Sequence, residues 1–117
     1  MFIGRVSELT GASRKAIRHY ESIGLINAPK RSGSYRTYDE HDVTVIAMIR
    51  KAQTLGFSLA ELKEVVSQKI ANKALPFDLI NTVIDSKVSV LNTQAMELIE
   101  QAKQLEKFKI ELSKSLP

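Results

Sequence analysis

Ser13 to Tyr38 reads S-R-K-A-I-R-H-Y-E-S-I-G-L-I-N-A-P-K-R-S-G-S-Y-R-T-Y. It divides into a short basic helix, a glycine stop at Gly24, and a basic loop that closes on Tyr35-Arg36-Thr37-Tyr38. Ala12, Ala16, Ile17, Tyr20 and Ile23 fall on one face of the predicted helix from Arg14 to Ile23. Arg14 and Arg18, with Lys15, His19 and Ser22 beside them, fall on the other. Like charges one helical turn apart repel, so the basic face suits an external anion better than internal pairing. Asn27 to Tyr38 holds Pro29, Gly33 and several Ser, Thr and Asn residues, which predict turns and a small hairpin with Lys30, Arg31 and Arg36 near its tip. Tyr38 is expected to pack at the base of that hairpin; Tyr35 can either pack or offer its hydroxyl to a phosphate.

Working towards the N-terminus, Ile3, Val6 and Leu9 recur at helical spacing and predict a first short helix from Ile3 to Thr10. Gly11 can end it and Ser13 can cap the next, so a tight turn joins two helices. Working the other way, Asp39 is placed to cap a third helix that runs to about Leu55, with Asp42 in its first turn. Gly56 stops it. Ser58-Leu59-Ala60-Glu61 is a capping box that opens a fourth helix carrying Leu59, Leu62, Val65, Val66 and Ile70. Residues 72–76 read as a linker, with Pro76 suited to the first turn of the next helix.

Between Phe77 and Leu112 there is neither glycine nor proline. Ile84, Leu91, Leu98 and Leu105 repeat every seven residues, and Val88, Ala95 and Ala102 fall between them. That is a heptad seam, which requires a partner helix. The expected organisation is a basic, anion-binding domain over 1–71, the linker, and a dimerisation helix over 77–117. Met96, Ile99, Phe108 and Ile110 lie off the seam and are expected to pack locally.

Composition narrows the function. The chain has 117 residues, net charge +4 and no cysteine, which excludes disulfides and thiolate metal sites within it. Residues 1–36 carry Arg5, Arg14, Lys15, Arg18, Lys30, Arg31 and Arg36 against only Glu8 and Glu21, whereas residues 76–117 carry slightly more acids than lysines. One end of the chain is therefore expected to meet an anionic partner. No apolar run is long enough to span a bilayer, and no export signal follows Met1, so a cytoplasmic protein without membrane contact is expected. His19 and His41 are far apart, and no carboxylate cluster, nucleophile with a base or phosphate-cradling glycine loop is present. Neither an enzyme nor a resident metal or cofactor is expected.

Taken together, Ile3-Gly4, Thr10-Gly11, Ile17-Arg18-His19-Tyr20-Glu21, Ile23-Gly24-Leu25, Tyr35-Arg36-Thr37-Tyr38 and Leu55-Gly56-Phe57-Ser58-Leu59-Ala60-Glu61 resemble the MerR family of transcriptional regulators. The resemblance implies a mainly helical (all-α) fold: a winged helix-turn-helix domain with a small β-hairpin wing, then a long coiled-coil helix that dimerises in antiparallel fashion. It implies a homodimer on a pseudo-palindromic promoter in double-stranded DNA, which distorts the spacer so that RNA polymerase can engage. An architectural DNA-bending protein of the excisionase or nucleoid type is the alternative. By the same resemblance Arg14, Arg18, His19 and Tyr20 touch bases or backbone, and Tyr35 and Arg36 clamp phosphate from the wing. Ser13, Lys15 and Arg31 complete the expected DNA-binding set, and Ile84, Val88, Leu91, Ala95, Leu98, Ala102 and Leu105 the dimerisation set. His19 stands where the family usually has Tyr or Phe, and the wing is about one residue shorter than in many members. Metal-sensing members place cysteines around the long helix, and this chain has none.

Overall fold

The computed structural model describes residues 1–72 and 77–116. In chain order it contains α1 (Ile3–Thr10), α2 (Arg14–Ser22), β1 (Lys30–Ser32), β2 (Tyr35–Thr37), α3 (Glu40–Thr54), α4 (Leu59–Asn72) and α5 (Phe77–Ser115). The chain divides into two compact units, Met1–Leu75 and Pro76–Pro117. Asn72, expected to open the linker, instead ends α4. The rest of that linker, including Pro76, lies outside the described residues, as does the side chain of Ile70.

The first unit is built around a small aliphatic core. Val6, Ala12, Ile17, Tyr20, Leu25, Tyr38, Ile46 and Ile49 are buried, and Ile3, Ala16, Ile23, Val43, Leu59, Leu62 and Val66 pack against them. These residues come from every helix of the unit and from the segments that flank the hairpin, so α1, α2, α3 and α4 share one core. Each buried aliphatic side chain contributes about 1.5–3 kcal/mol relative to exposure. Leu9, expected on the buried face of α1, is 48% exposed. The core closes on Val6 and, across the turn, on Ala12, which leaves Leu9 outside it.

The turn between α1 and α2 is fixed by several hydrogen bonds. Gly11 takes the left-handed conformation at φ 76° while its N–H donates to Ser7 O at 3.0 Å. A side chain there would strain the backbone. Ser7 Oγ donates to Ala12 O at 2.7 Å, and the Ala12 N–H donates to Thr10 Oγ1 at 3.2 Å. Ser13 caps α2, its hydroxyl accepting from the Ala16 N–H at 3.0 Å. α3 opens with a reciprocal capping box between Asp39 and Asp42, at 2.8 and 3.0 Å. Ser58 and Glu61 form a second box at α4, at 3.0 and 3.1 Å.

β1 and β2 pair in antiparallel register, with Lys30 opposite Thr37, Arg31 opposite Arg36 and Ser32 opposite Tyr35. The loop is therefore Gly33-Ser34, and Gly33 has φ 63°, the positive value that tight hairpin turns demand at their first central residue. The first residues of the chain add to the far edge of β2. Phe2 bridges to Thr37, and the Tyr38 N–H donates to Met1 O at 2.7 Å.

The second unit is the single helix α5, 39 residues long and thus about 58 Å. Its seam is open in the single chain, from Ile84 at 44% exposed to Leu98 at 66%. No helix among the described residues is long and apolar enough to cross a membrane.

Candidate nucleic-acid interface

The outer face of α2 is basic because its inner face is spent on the core. Ile17 and Tyr20 are buried and Ala16 is half-buried, while Arg14, Lys15, Arg18, His19 and Ser22 are exposed. Ion pairs in the first unit join Arg5 to Glu8 at 3.1 Å and Arg36 to Glu21 at 2.9 Å. Arg14, Lys15 and Arg18 thus carry charges with no internal partner among the described residues. Cations held apart on one helix face, with no acid to neutralise them, are suited to the phosphates and base edges of a duplex groove.

Arg14 is positioned by α1. A Cβ placed on Gly4 would lie 2.8 Å from an Arg14 guanidinium nitrogen, so the arginine occupies the space that Gly4 leaves open. Arg14 borders a groove of about 720 Å³ that Phe2, Arg5 and Tyr35 also line. Tyr35 is 69% exposed on β2, its ring 5.9 Å from that of Phe2 and tilted by 57°. Tyr35 thus packs its ring against Phe2 while most of the residue stays exposed. Arg31 is exposed on β1, with one guanidinium nitrogen donating to Ser34 O at 3.3 Å. Arg14 of α2 and Tyr35 of the hairpin thus flank the N-terminus of α1.

Two of the residues expected at the interface make contacts within the chain. Tyr20 is only 1% exposed, and its hydroxyl donates to Gln53 Oε1 on α3. Burial, opposed by the Arg50 charge, pushes that hydroxyl above its ordinary pKa and keeps it a neutral donor. Tyr20 is a core residue whose polar tip reaches a neighbouring helix. Arg36 is half-buried, and its Nε donates to Glu21 across the gap between hairpin and α2. That part of its guanidinium is already occupied. Ser13 is exposed, but its hydroxyl is committed to the cap of α2.

Other features were not legible beforehand. Arg50 and Gln53 of α3 line a cleft of about 260 Å³ with Gly11, Ser13 and Tyr20, at the start of α2. Nothing in the local sequence pattern of α3 points to that cleft, because it depends on how two helices cross. The pairing of Arg36 with Glu21 had a faint signal: Glu21 is the one acid within a strongly basic stretch.

A basic helix in a helix-turn-helix, with a two-stranded hairpin beside it, defines a winged helix-turn-helix protein of the DNA-binding class. Comparison with known proteins makes that particular. Residues 1–69 match the MerR HTH family regulatory protein family, and residues 43–108 match the family described as MerR, DNA binding. The chain belongs to the MerR HTH family. HmrR of Sinorhizobium medicae, an HTH-type transcriptional regulator, is 47% identical over 68 residues, which are 57% of this chain and 46% of that one. The HTH-type transcriptional regulator slr0701 of Synechocystis is 32% identical over 115 residues, covering 97% of this chain and 78% of that one. Among solved structures, the regulator PbrR691 of Ralstonia metallidurans, in complex with lead(II), superposes with a TM-score of 0.69 at 26% identity. That match covers 100% of this chain and 88% of the other. The chain spans about half the length of several curated relatives it matches.

Proposed function

We propose that this protein is a DNA-binding transcriptional regulator that acts as a homodimer on a two-fold symmetric operator. One observation carries the reading: Arg14, Lys15 and Arg18 stand exposed on a helix whose other face is fully used by the core, with no acidic partner among the described residues. Arg14, Lys15, Arg18 and His19 enter the major groove, while Arg31 and Tyr35 of the wing hold the adjoining backbone. Two copies joined through α5 place two such surfaces on one duplex. By bending and untwisting the promoter spacer between them, the dimer sets the promoter elements in register for RNA polymerase. The place of action is the cytoplasm, where that promoter and polymerase are.

The alternative of a purely architectural DNA-bending protein makes no use of a long helix with a heptad seam. A thiophilic metal effector does not fit these residues either. PbrR691 was crystallised with lead(II), but the present sequence contains no cysteine, and no group of three or more metal-ligating side chains occurs among the described residues. Soft metals are held by thiolates, so no metal step is assigned.

The test is binding to genomic fragments across a salt series. With about six to eight phosphates contacted per dimer, log K falls with log salt at a slope of roughly −5 to −7. Arg18→Ala should lower the preference for the selected site by about 1–3 kcal/mol. A flat salt response, or equal affinity for random duplex and selected site, would refute the reading.

A further inference from the structure

Glu21 is the one acid on α2, and it lies three residues beyond Arg18 on the same helix. Side chains at that spacing are neighbours on a helix surface and pair readily when opposite in charge. Yet Glu21 pairs elsewhere: its Oε2 accepts from Arg36 Nε at 2.9 Å. Arg36 arrives from β2, and its side chain is 30% exposed against 19% for Glu21. Arg18 is left exposed, with no ion pair among the described residues.

Four charged groups act on the hydroxyl of Tyr38. The buried Tyr38 hydroxyl is pushed above its ordinary pKa by burial first and then by the Glu21 carboxylate, with a smaller push from Asp42, while Arg36 and Arg18 pull it back. Glu21 thus has Arg36 bonded to it and Arg18 three residues away on its own helix. The hairpin explains which one it takes. Arg36 sits directly opposite Arg31 in the β1–β2 register. Like charges facing across a strand pair are destabilising. Binding Arg36 to Glu21 relieves that repulsion, and Arg31 turns instead to the Ser34 carbonyl. Pairing Glu21 with Arg18 would relieve nothing in the hairpin.

We infer that Arg36 is a positioning residue that sequesters Glu21, and so keeps the Arg18 guanidinium free to read DNA. This rests on the DNA-binding reading above, and it differs from a phosphate clamp at Arg36. In the clamp, Arg36 touches the backbone directly. In the sequestering role it acts through Glu21, and its loss is felt at Arg18. When Arg36 is neutralised, Glu21 turns to Arg18 and neutralises the base-reading cation.

The experiment uses the full chain, its selected operator, and a random duplex of equal length. Four proteins are compared: wild type, Arg36→Gln, Glu21→Gln and the double variant Arg36→Gln/Glu21→Gln. Arg36→Gln should lower the ratio of specific to random affinity by about five- to tenfold, on the scale of one lost base contact. Glu21→Gln should keep that ratio within about twofold, and the double variant should recover it, because no carboxylate remains to capture Arg18. A phosphate clamp predicts otherwise: Arg36→Gln weakens both duplexes alike, lowers the salt slope by about one per protomer, and is not rescued by Glu21→Gln. A merely structural latch predicts that Glu21→Gln fails as badly as Arg36→Gln. Either result overturns the inference. Should Arg36→Gln not fold, the Glu21→Gln variant alone decides, since loss of its site preference contradicts sequestration. Failure of the wild type to bind either duplex would instead refute the DNA-binding reading itself.

Discussion

At the scale of single residues, a helical wheel of α2 tells which side chains are inside but not what their polar atoms do. Tyr20 falls with Ile17 on the inner face and also belongs to the motif that resembles DNA-contacting residues in related regulators. Its 1% exposure and its hydroxyl bond to Gln53 decide for the core. Tyr20→Phe should therefore cost about 0.5–1.5 kcal/mol of stability through the lost hydrogen bond, seen as a Tm lower by several degrees for a unit of this size. Operator affinity measured well below the melting range should stay within about twofold. A large loss of affinity without loss of Tm would return Tyr20 to the interface. The same paragraph of sequence made Arg14, Lys15 and Arg18 legible as exposed cations, because exposure follows from helical period alone. It could not show Arg36 reaching Glu21, since that contact joins residues 15 apart across a hairpin and depends on where the hairpin leans.

Elements were more legible than contacts, because their ends are written in local chemistry. Gly11, Ser13, Asp39 and the Ser58–Glu61 box each mark a boundary through a hydrogen bond to a residue within four positions, and the structure has those boundaries to within a residue or two. The hairpin was harder to place, since residues 1 and 2 add to its edge and nothing in their sequence announces a strand. Asp39 offers a test at this scale. The Asp42 N–H donates to its carboxylate and, with smaller help from neighbouring charges, holds it below the ordinary carboxylate range. A depressed carboxylate stabilises the folded state above its unfolded pKa of about 4, and that contribution is lost as pH falls through the lowered folded value. Asparagine caps a helix nearly as well but does not titrate. Wild type should thus exceed Asp39→Asn in stability at about pH 6, and the gap should close as the pH is lowered towards about 2. Denaturant midpoints measured along that series check it; a gap that widened in acid would contradict the cap's role.

For the whole molecule the decisive fact is that α5 has an apolar seam whose described residues stand exposed. Ile84, Val88, Leu91, Leu98 and Leu105 are 44 to 66% exposed along a single helix. A monomer seldom leaves so continuous an apolar stripe in water, and a second copy supplies a matching stripe by symmetry. The alanines at 95 and 102 leave room for two backbones to approach closely at the centre of the seam. On this reading the wild type should sediment at twice its chain mass at micromolar concentration, with a Tm that rises with concentration. Leu98→Glu places a charge in the seam of both partners and should sediment as a monomer. Its isolated DNA-binding surface remains intact, but each surface then binds alone. Two linked surfaces gain about 10²–10⁴ in avidity over one, so the variant should lose that factor on the symmetric operator while its affinity for a half-site stays unchanged. The half-site measurement separates loss of pairing from loss of folding: a variant that lost both affinities would be misfolded, and one that kept both as a dimer would place the dimer contact elsewhere than this seam.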